Sequence, residues 1–158
     1  VSGAIDATEW VGPWNDEAMK FQEAAKYYYY PGMHEPGSML ACGTNKSWFT
    51  SLSKSDQLLI EAAAAMENDV MMSEYNAKNG AALARLINDH GVKLEKFSDK
   101  VYDGFAGAAN EVFEETRASS GLAERIHSSF LKARKDIGSW TNLSDSPYIS
   151  QRNRALGM

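Results

Sequence analysis

Oxygen-bearing and aromatic residues stand at two places in the first third of the chain where they could contact a small ligand. Glu9 and Trp10 end an apolar stretch, and His34 and Glu35 follow a run of tyrosines at residues 27–30. The carboxylate of Glu35 and the backbone carbonyl of Trp10 are hard oxygen donors, the kind that Na⁺ and Ca²⁺ prefer. Two protein oxygens are too few for either ion, so a bound organic acid could supply others from its own carboxylate.

Catalytic chemistry has weaker support in this region. His34 and Glu35 do not begin a zinc protease motif, because position 38 is Ser38 instead of a second histidine and Pro36 does not fit a helix interior. Cys42 has no candidate base nearby in the sequence, and a lone buried cysteine is more often a packing residue than a nucleophile. We therefore predict no catalytic residue and no enzyme. A small hydrolase or lyase that uses His34, Glu35 or Cys42 stays as an alternative.

Two short strands with a helix between them are predicted to position the candidate residues. The first strand covers residues 3–12, and a helix capped by Asn15 or Asp16 runs to about Ala25. The second strand is the tyrosine run at 27–30, because aromatic side chains suit a pleated, half-buried surface. A strand–helix–strand unit of this length is typical of a right-handed crossover between parallel strands.

Parallel strands bring their carboxyl ends to one edge of the sheet, which is where ligands bind in open α/β sheets. The predicted unit would bring Glu9, Trp10 and Val11 close to His34 and Glu35. At this edge the Glu35 carboxylate and the Trp10 carbonyl could bind a hard cation, and that cation could bridge to the carboxylate of a bound organic acid.

The rest of the chain is predicted to be mainly helical. Ser53 and Asp56 resemble a capping box at the start of a helix that ends near His90, before Gly91. The other predicted elements are a strand at 38–43, a helical turn at 45–52, an extended piece at 92–97, helices starting at Ser98 and after Gly121, a polar loop at 141–146 and a terminal helix after Pro147. The predicted fold class is therefore α/β, with short, mostly parallel strands followed by long helices. We divide it into a strand-rich segment, 1–52, and a long-helix segment, 53–158, packed as one unit.

Composition and charge limit the possible function. The chain has 158 residues, of which 44% are hydrophobic and 23% charged, as in a globular protein. The formal net charge of −5, with lysines and arginines scattered, argues against nucleic-acid binding. A single cysteine excludes an internal disulfide and fits a bacterial cytosol or a periplasm.

Three segments resemble the periplasmic solute receptors of tripartite ATP-independent periplasmic (TRAP) transporters, in the branch that binds keto acids and hydroxy acids. They are IDATEWVGPWND at residues 5–16, AKYYYYPG at 25–32 and HEPG at 34–37. Their order and separation match as well as their residues. The resemblance continues more weakly through NKSW at 45–48 and the long helices, and it covers the carboxy-terminal half of such a receptor.

The resemblance implies a function and a site. The receptor would be two-lobed and periplasmic, would bind a small 2-oxo or 2-hydroxy carboxylate, and would deliver it to TRAP membrane subunits. A cation, Na⁺ or Ca²⁺, would be held by Glu35 and by the residue at Trp10, whereas a glutamine ligand and an arginine that binds the solute carboxylate belong to the upstream half. Some members of the branch pair through terminal helices, which makes residues 122–140 the candidate dimer segment here. The alternative is a helical interaction or dimerisation protein.

Overall fold

The structure is a computed structural model that describes residues 3–35, 37 and 40–158. These residues form, in chain order, helix α1 (Pro13–Ala18), a 3₁₀ turn (Phe21–Glu23), strand β1 (Tyr27–Tyr30), helix α2 (Lys46–Ser51), helix α3 (Lys54–Asn88), strand β2 (Lys93–Lys96) and helices α4 (Asp99–Ala118), α5 (Gly121–Thr141) and α6 (Asp145–Leu156). The predicted fold class, helix-rich α/β with parallel strands, is confirmed.

Contacts within the chain separate two compact units. The first ends at Ser98 and the second begins at Asp99. The boundary predicted between residues 52 and 53 rests on the change from a strand-rich to a helix-rich sequence, and it stays a prediction. The packing of these two segments as one unit also stays a prediction.

The two strands form a parallel pair in which Tyr27 lies opposite Lys93 and Tyr30 opposite Lys96. The tyrosine run is thus a strand, as predicted, but its partner is β2. The strand predicted at residues 3–12 is wrong, because the described residues there have no ladder partner and form bends and irregular backbone. In the strand predicted at 38–43, Ser38 and Met39 lie outside the described residues and residues 40–43 are not a strand.

Helix α1 begins earlier and ends sooner than predicted. Gly12 is its N-cap and Pro13 its first residue, instead of a cap at Asn15 or Asp16. Proline favours this first position because its fixed φ suits a helix and its missing N–H has no intrahelical partner there. The first unit then continues through the 3₁₀ turn into β1.

Helix α3 confirms the prediction of a long helix. The Ser53 hydroxyl accepts a hydrogen bond from the Asp56 backbone N–H at 3.2 Å and donates one to the Asp56 carboxylate at 2.8 Å. At the other end Gly91 adopts the left-handed region with φ of 67°, and the Val92 N–H donates to the Leu86 carbonyl at 3.0 Å. These local bonds reverse the chain into β2.

A cluster of contacts around Trp14 packs helix α1 on α3. The Trp14 backbone N–H donates to Asn79 Oδ1 at 3.1 Å, which caps a helix whose N-cap glycine has no side chain. The Trp14 ring meets Tyr75 edge to face, with centroids 5.3 Å apart, and Lys78 Nζ lies 4.0 Å from its centre. Among the described residues of the first unit, the buried apolar ones are Ala82, Leu86 and Val92.

In the second unit α4 and α5 pack together. Phe113 of α4 lies 5.8 Å from Phe130 and 6.1 Å from His127 of α5, measured between ring centroids. Ser120 caps α5 by accepting a hydrogen bond from the Ala123 N–H at 3.1 Å.

The end of the chain differs from the prediction. Helix α6 starts at Asp145, so Pro147 lies inside its first turn. The predicted loop at 141–146 is shorter in the structure, where only residues 142–144 separate α5 from α6. Proline is tolerated in a first turn because the N–H groups there lack intrahelical acceptors. Across the described chain, no helix has both the length and the apolar character needed to cross a membrane.

Candidate functional site

Trp10 lies in irregular backbone two residues before the N-cap of α1. Its side chain is 54% exposed, and it forms part of the wall of a small cavity of about 80 Å³ in the first unit. The remaining wall comes from residues before α1, in α1, in and after the 3₁₀ turn, in β1, in α3 and just before β2: Thr8, Asp16, Phe21, Gln22, Ala25, Tyr27, Tyr28, Leu86 and Val92. The structure therefore places Trp10 beside the first residues of β1.

Glu35 lies in irregular backbone after β1 and is exposed. The chain reaches it through the cis peptide bond between Tyr30 and Pro31. Glu35 does not line the cavity that Trp10 borders. We predicted that Trp10 and Glu35 follow or end adjacent parallel strands. This placement is wrong for Trp10, which is not on a strand.

The other sequence candidates lie at the surface. Glu9 and His34 are exposed, and Cys42 is an exposed free cysteine. Cys42 is therefore not a buried packing residue, the role that is more common for a lone cysteine. Among the described residues, no group of three or more histidine, cysteine, aspartate or glutamate side chains could hold a metal ion.

A buried acid next to the cavity is the feature that sequence reasoning missed. Asp16 is 7% exposed, and its Oδ2 accepts a hydrogen bond of 2.5 Å from the Tyr28 hydroxyl. Burial raises the pKa of Asp16 above its ordinary value, although hydrogen bonds from the Tyr28 hydroxyl and the Gly12 backbone lower it in part. Burial and the neighbouring carboxylate raise the pKa of Tyr28, so the hydroxyl keeps its proton and serves as the donor.

The sequence carries little signal for this pair. Asp16 follows Pro13 within a short helix, a position typical of an exposed acid near a helix N-terminus. Tyr28 is one of four consecutive tyrosines, and the pattern does not identify which of them faces inward. In the structure Tyr28 is half-buried, whereas Tyr27, Tyr29 and Tyr30 are exposed.

The cavity wall also presents oxygen acceptors. Asp16 Oδ1 and Gln22 Oε1 are buried and have no hydrogen-bond partner in the described part of the chain. Gln22 is 8% exposed and donates through Nε2 to the Glu17 carbonyl at 3.5 Å. Residues with buried oxygen acceptors and residues with aromatic rings thus border the same cavity as Trp10.

The donors at Trp10 and Glu35 fit a hard cation in type but not in number. A backbone carbonyl and a carboxylate are suitable ligands for Na⁺ or Ca²⁺. Calcium, however, takes six or more oxygen ligands. Other oxygens must come from a bound carboxylate or from other parts of the protein.

Comparison with known proteins identifies a family and several relatives. Residues 1–119 match the family described as "Bacterial extracellular solute-binding protein, family 7", DctP. The chain is similar to the monocarboxylate 2-oxoacid-binding periplasmic protein of Nostoc sp. strain PCC 7120, with 34% identity over 146 residues. That alignment covers 92% of this chain and 40% of the relative.

Two solved structures share the fold. A TRAP periplasmic solute-binding protein from Colwellia psychrerythraea, with bound calcium and pyruvate, is 35% identical with a TM-score of 0.88, over 94% of this chain and 45% of that one. A second from Pseudoalteromonas atlantica T6c, with bound sodium and pyruvate, is 29% identical with a TM-score of 0.82, over 92% of this chain and 44% of that one. The chain thus spans less than half the length of each of these relatives.

Proposed function

The chain belongs to family 7 of the bacterial extracellular solute-binding proteins, and from this premise we propose that it is part of a periplasmic TRAP receptor for a small 2-oxo or 2-hydroxy carboxylate. The observation that carries the proposal is its likeness to two TRAP periplasmic solute-binding proteins, one with bound calcium and pyruvate and the other with bound sodium and pyruvate. The periplasmic relative from Nostoc, named for binding monocarboxylate 2-oxoacids, supports the same class of solute and the same compartment.

In this proposal Trp10 and Glu35 hold the cation and contact the solute. Trp10 contributes its backbone carbonyl, and its half-exposed ring borders the cavity. Glu35 contributes an exposed carboxylate that is free to meet an ion outside the first unit's own cavity. The cation lies between two negative partners, the Glu35 carboxylate and the solute carboxylate, which would otherwise repel each other.

The receptor works by binding and not by bond breaking. Binding energy favours a closed conformation, and the closed form delivers the acid to TRAP membrane subunits. The acid is released unchanged, which separates a receptor from the hydrolase or lyase alternative. Incubation with the full-length protein should leave the solute concentration constant over time.

Thermal and chemical unfolding of the full-length protein tests the proposal. Pyruvate at about 100 times its dissociation constant should stabilise the protein by roughly 2.7 kcal/mol. The effect should weaken when Na⁺ and Ca²⁺ are removed. Failure of every small 2-oxo and 2-hydroxy acid to stabilise the protein, with either ion present, would reject the proposed function.

Substitution of the proposed ligand makes the test specific to the site. Glu35→Gln keeps the size of the side chain but removes its charge, so the cation-dependent part of the stabilisation should disappear while the unliganded protein unfolds as before. Glu23→Gln is the matched control, because Glu23 is also exposed and lies in the first unit. Equal behaviour of the two variants would exclude Glu35 as a ligand.

The second unit supports a homodimer. Helix α5 has a row of exposed apolar side chains, including Ile126, Phe130 and Trp140. The first turns of α5 also border an open groove of about 490 Å³, lined by Leu122, Arg125, Ile126, Ser129 and Phe130. Exposed apolar rows of this kind mark interaction surfaces, so we propose that residues 122–140 pair with the same segment of a second copy.

A further inference from the structure

The two proposed cation ligands come from different segments of the first unit. Trp10 precedes α1, and Glu35 follows β1. Both segments are irregular, so their own backbone hydrogen bonds do not determine how far apart the two ligands lie. A contact between α1 and β1 would restrain the separation of the two ligands.

The hydrogen bond from Tyr28 to Asp16 is such a contact. It joins the fourth residue of α1 to the second residue of β1 at 2.5 Å. Asp16 is six residues after Trp10, and Tyr28 is seven residues before Glu35. The bond therefore lies at a similar chain distance from each proposed ligand and connects the two segments directly.

Burial makes this link stronger than a surface hydrogen bond. Asp16 is 7% exposed and Tyr28 is half-buried, so water competes less for this hydrogen bond than for one at the surface. Both side chains also border the cavity whose wall includes Trp10. Loss of the Tyr28 hydroxyl would leave both carboxylate oxygens of Asp16 without a side-chain partner beside Trp10, since Asp16 Oδ1 already lacks one in the described chain.

We propose that Asp16 and Tyr28 are positioning residues that hold the Trp10 and Glu35 segments at the separation the cation requires. The inference rests on the proposed function, because it assumes that Trp10 and Glu35 are the ligands. Neither Asp16 nor Tyr28 touches the solute in this scheme. Their effect is on the geometry of the cation site, since an ion bound by few protein oxygens is sensitive to the spacing between them.

Cation titrations of the full-length protein at saturating pyruvate test the proposal. Tyr28→Phe removes one hydroxyl and keeps the ring, and it should raise the dissociation constant of Ca²⁺ or Na⁺ by about tenfold, the effect of losing one hydrogen bond to a charged group. Asp16→Asn keeps an oxygen that can accept from Tyr28, so its cation affinity should stay within about twofold of the wild type.

Tyr29→Phe is the matched control in the same strand. Tyr29 is exposed and its ring stacks on Phe97 with centroids 4.9 Å apart, a contact that phenylalanine keeps. The control should bind the cation as the wild type does. A purely structural role for Tyr28 would lower the melting temperature of Tyr28→Phe but leave its cation affinity unchanged when measured well below that temperature.

The outcomes separate this inference from the function on which it rests. Wild-type protein that binds neither acid nor cation would reject the proposed function, and the positioning role with it. Wild-type binding together with unchanged cation affinity in Tyr28→Phe would reject the positioning role alone. Weakened binding in Tyr28→Phe, near-normal binding in Asp16→Asn and normal binding in Tyr29→Phe would support it.

Discussion

Arg85 of α3 forms two parallel hydrogen bonds with the carboxylate of Glu17 on α1, from Nε to Oε1 at 2.8 Å and from Nη2 to Oε2 at 2.5 Å. The side chain of Glu17 is 19% exposed, and that of Arg85 is 47% exposed. A two-bond pair of this geometry restrains orientation as well as distance. It joins residues 68 apart in the sequence and holds the helix that follows Trp10 against α3.

We expect this pair to make the first unit sensitive to acid. Hydrogen bonding to Arg85 lowers the pKa of Glu17 below its ordinary value near 4.5. A carboxyl whose pKa is lower in the folded state contributes stability above the unfolded pKa, and the contribution is lost as the pH falls through the folded pKa. The free energies of unfolding of wild type and Glu17→Gln should therefore converge as the pH falls from neutral to below that lowered pKa, in denaturant titrations at each pH.

Glu23→Gln is the control for this experiment. Glu23 pairs with Lys20 at 3.6 Å, and both side chains are more than two-thirds exposed, 68% and 71%. Such a surface pair contributes little to stability. The free energy of unfolding of Glu23→Gln should equal that of the wild type at every pH. A difference in free energy of unfolding between wild type and Glu17→Gln that is the same at every pH would contradict the assigned role of Glu17.

Asn79 provides the second prediction, because it caps α1 from another helix. Its Oδ1 accepts the Trp14 N–H, a group that the N-cap Gly12 cannot satisfy with a side chain. Replacement of a capping side chain typically costs about 1 kcal/mol, so Asn79→Leu should lower the free energy of unfolding by that amount. Asn79→Asp keeps an oxygen acceptor at the same position and should retain most of the stability.

The same substitution one turn earlier on α3 is the matched control for Asn79. Asn76 is exposed, so Asn76→Leu makes the same chemical change away from α1 and should alter the free energy of unfolding by less than about 0.5 kcal/mol. Equal losses from the two leucine variants would mean that the cap contributes nothing. Urea unfolding curves of the full-length protein measure both values.

Local signals explain why the long helices could be predicted. The Ser53 cap and the left-handed stop at Gly91 each lie within a few residues of the helix end that they specify. The tyrosine strand was predictable for the same reason, since four aromatic residues in a row favour a pleated backbone. Its partner was not, because Lys93–Lys96 lies more than 60 residues further along the chain.

The errors near the candidate site have the same origin. Residues 3–12 have a strand-like sequence, but a strand also needs a hydrogen-bonding partner, and local composition does not supply one. The Asp16–Tyr28 bond and the Asn79 cap depend on the packing of separate elements. Trp10 and Glu35 were found through their motifs, and their roles as ligands stay predictions.

The proposed dimer gives the last prediction, which concerns the apolar row on α5. Ile126 is 61% exposed and lies in the groove next to Phe130. A two-fold interface contains each substitution twice. Ile126→Glu should therefore raise the dimer dissociation constant by about 100-fold, if burial of each charge costs about 1.4 kcal/mol or more.

Sedimentation of the full-length protein over a range of concentrations distinguishes this surface from the rest of α5. Ser128→Glu adds the same charge two residues away, on the opposite side of the helix, because successive residues are rotated by about 100°. Ser128 is exposed, so this control should associate as the wild type does. A monomeric wild type would reject the dimer, and dissociation of both variants would show that added charge, rather than the apolar row, controls association.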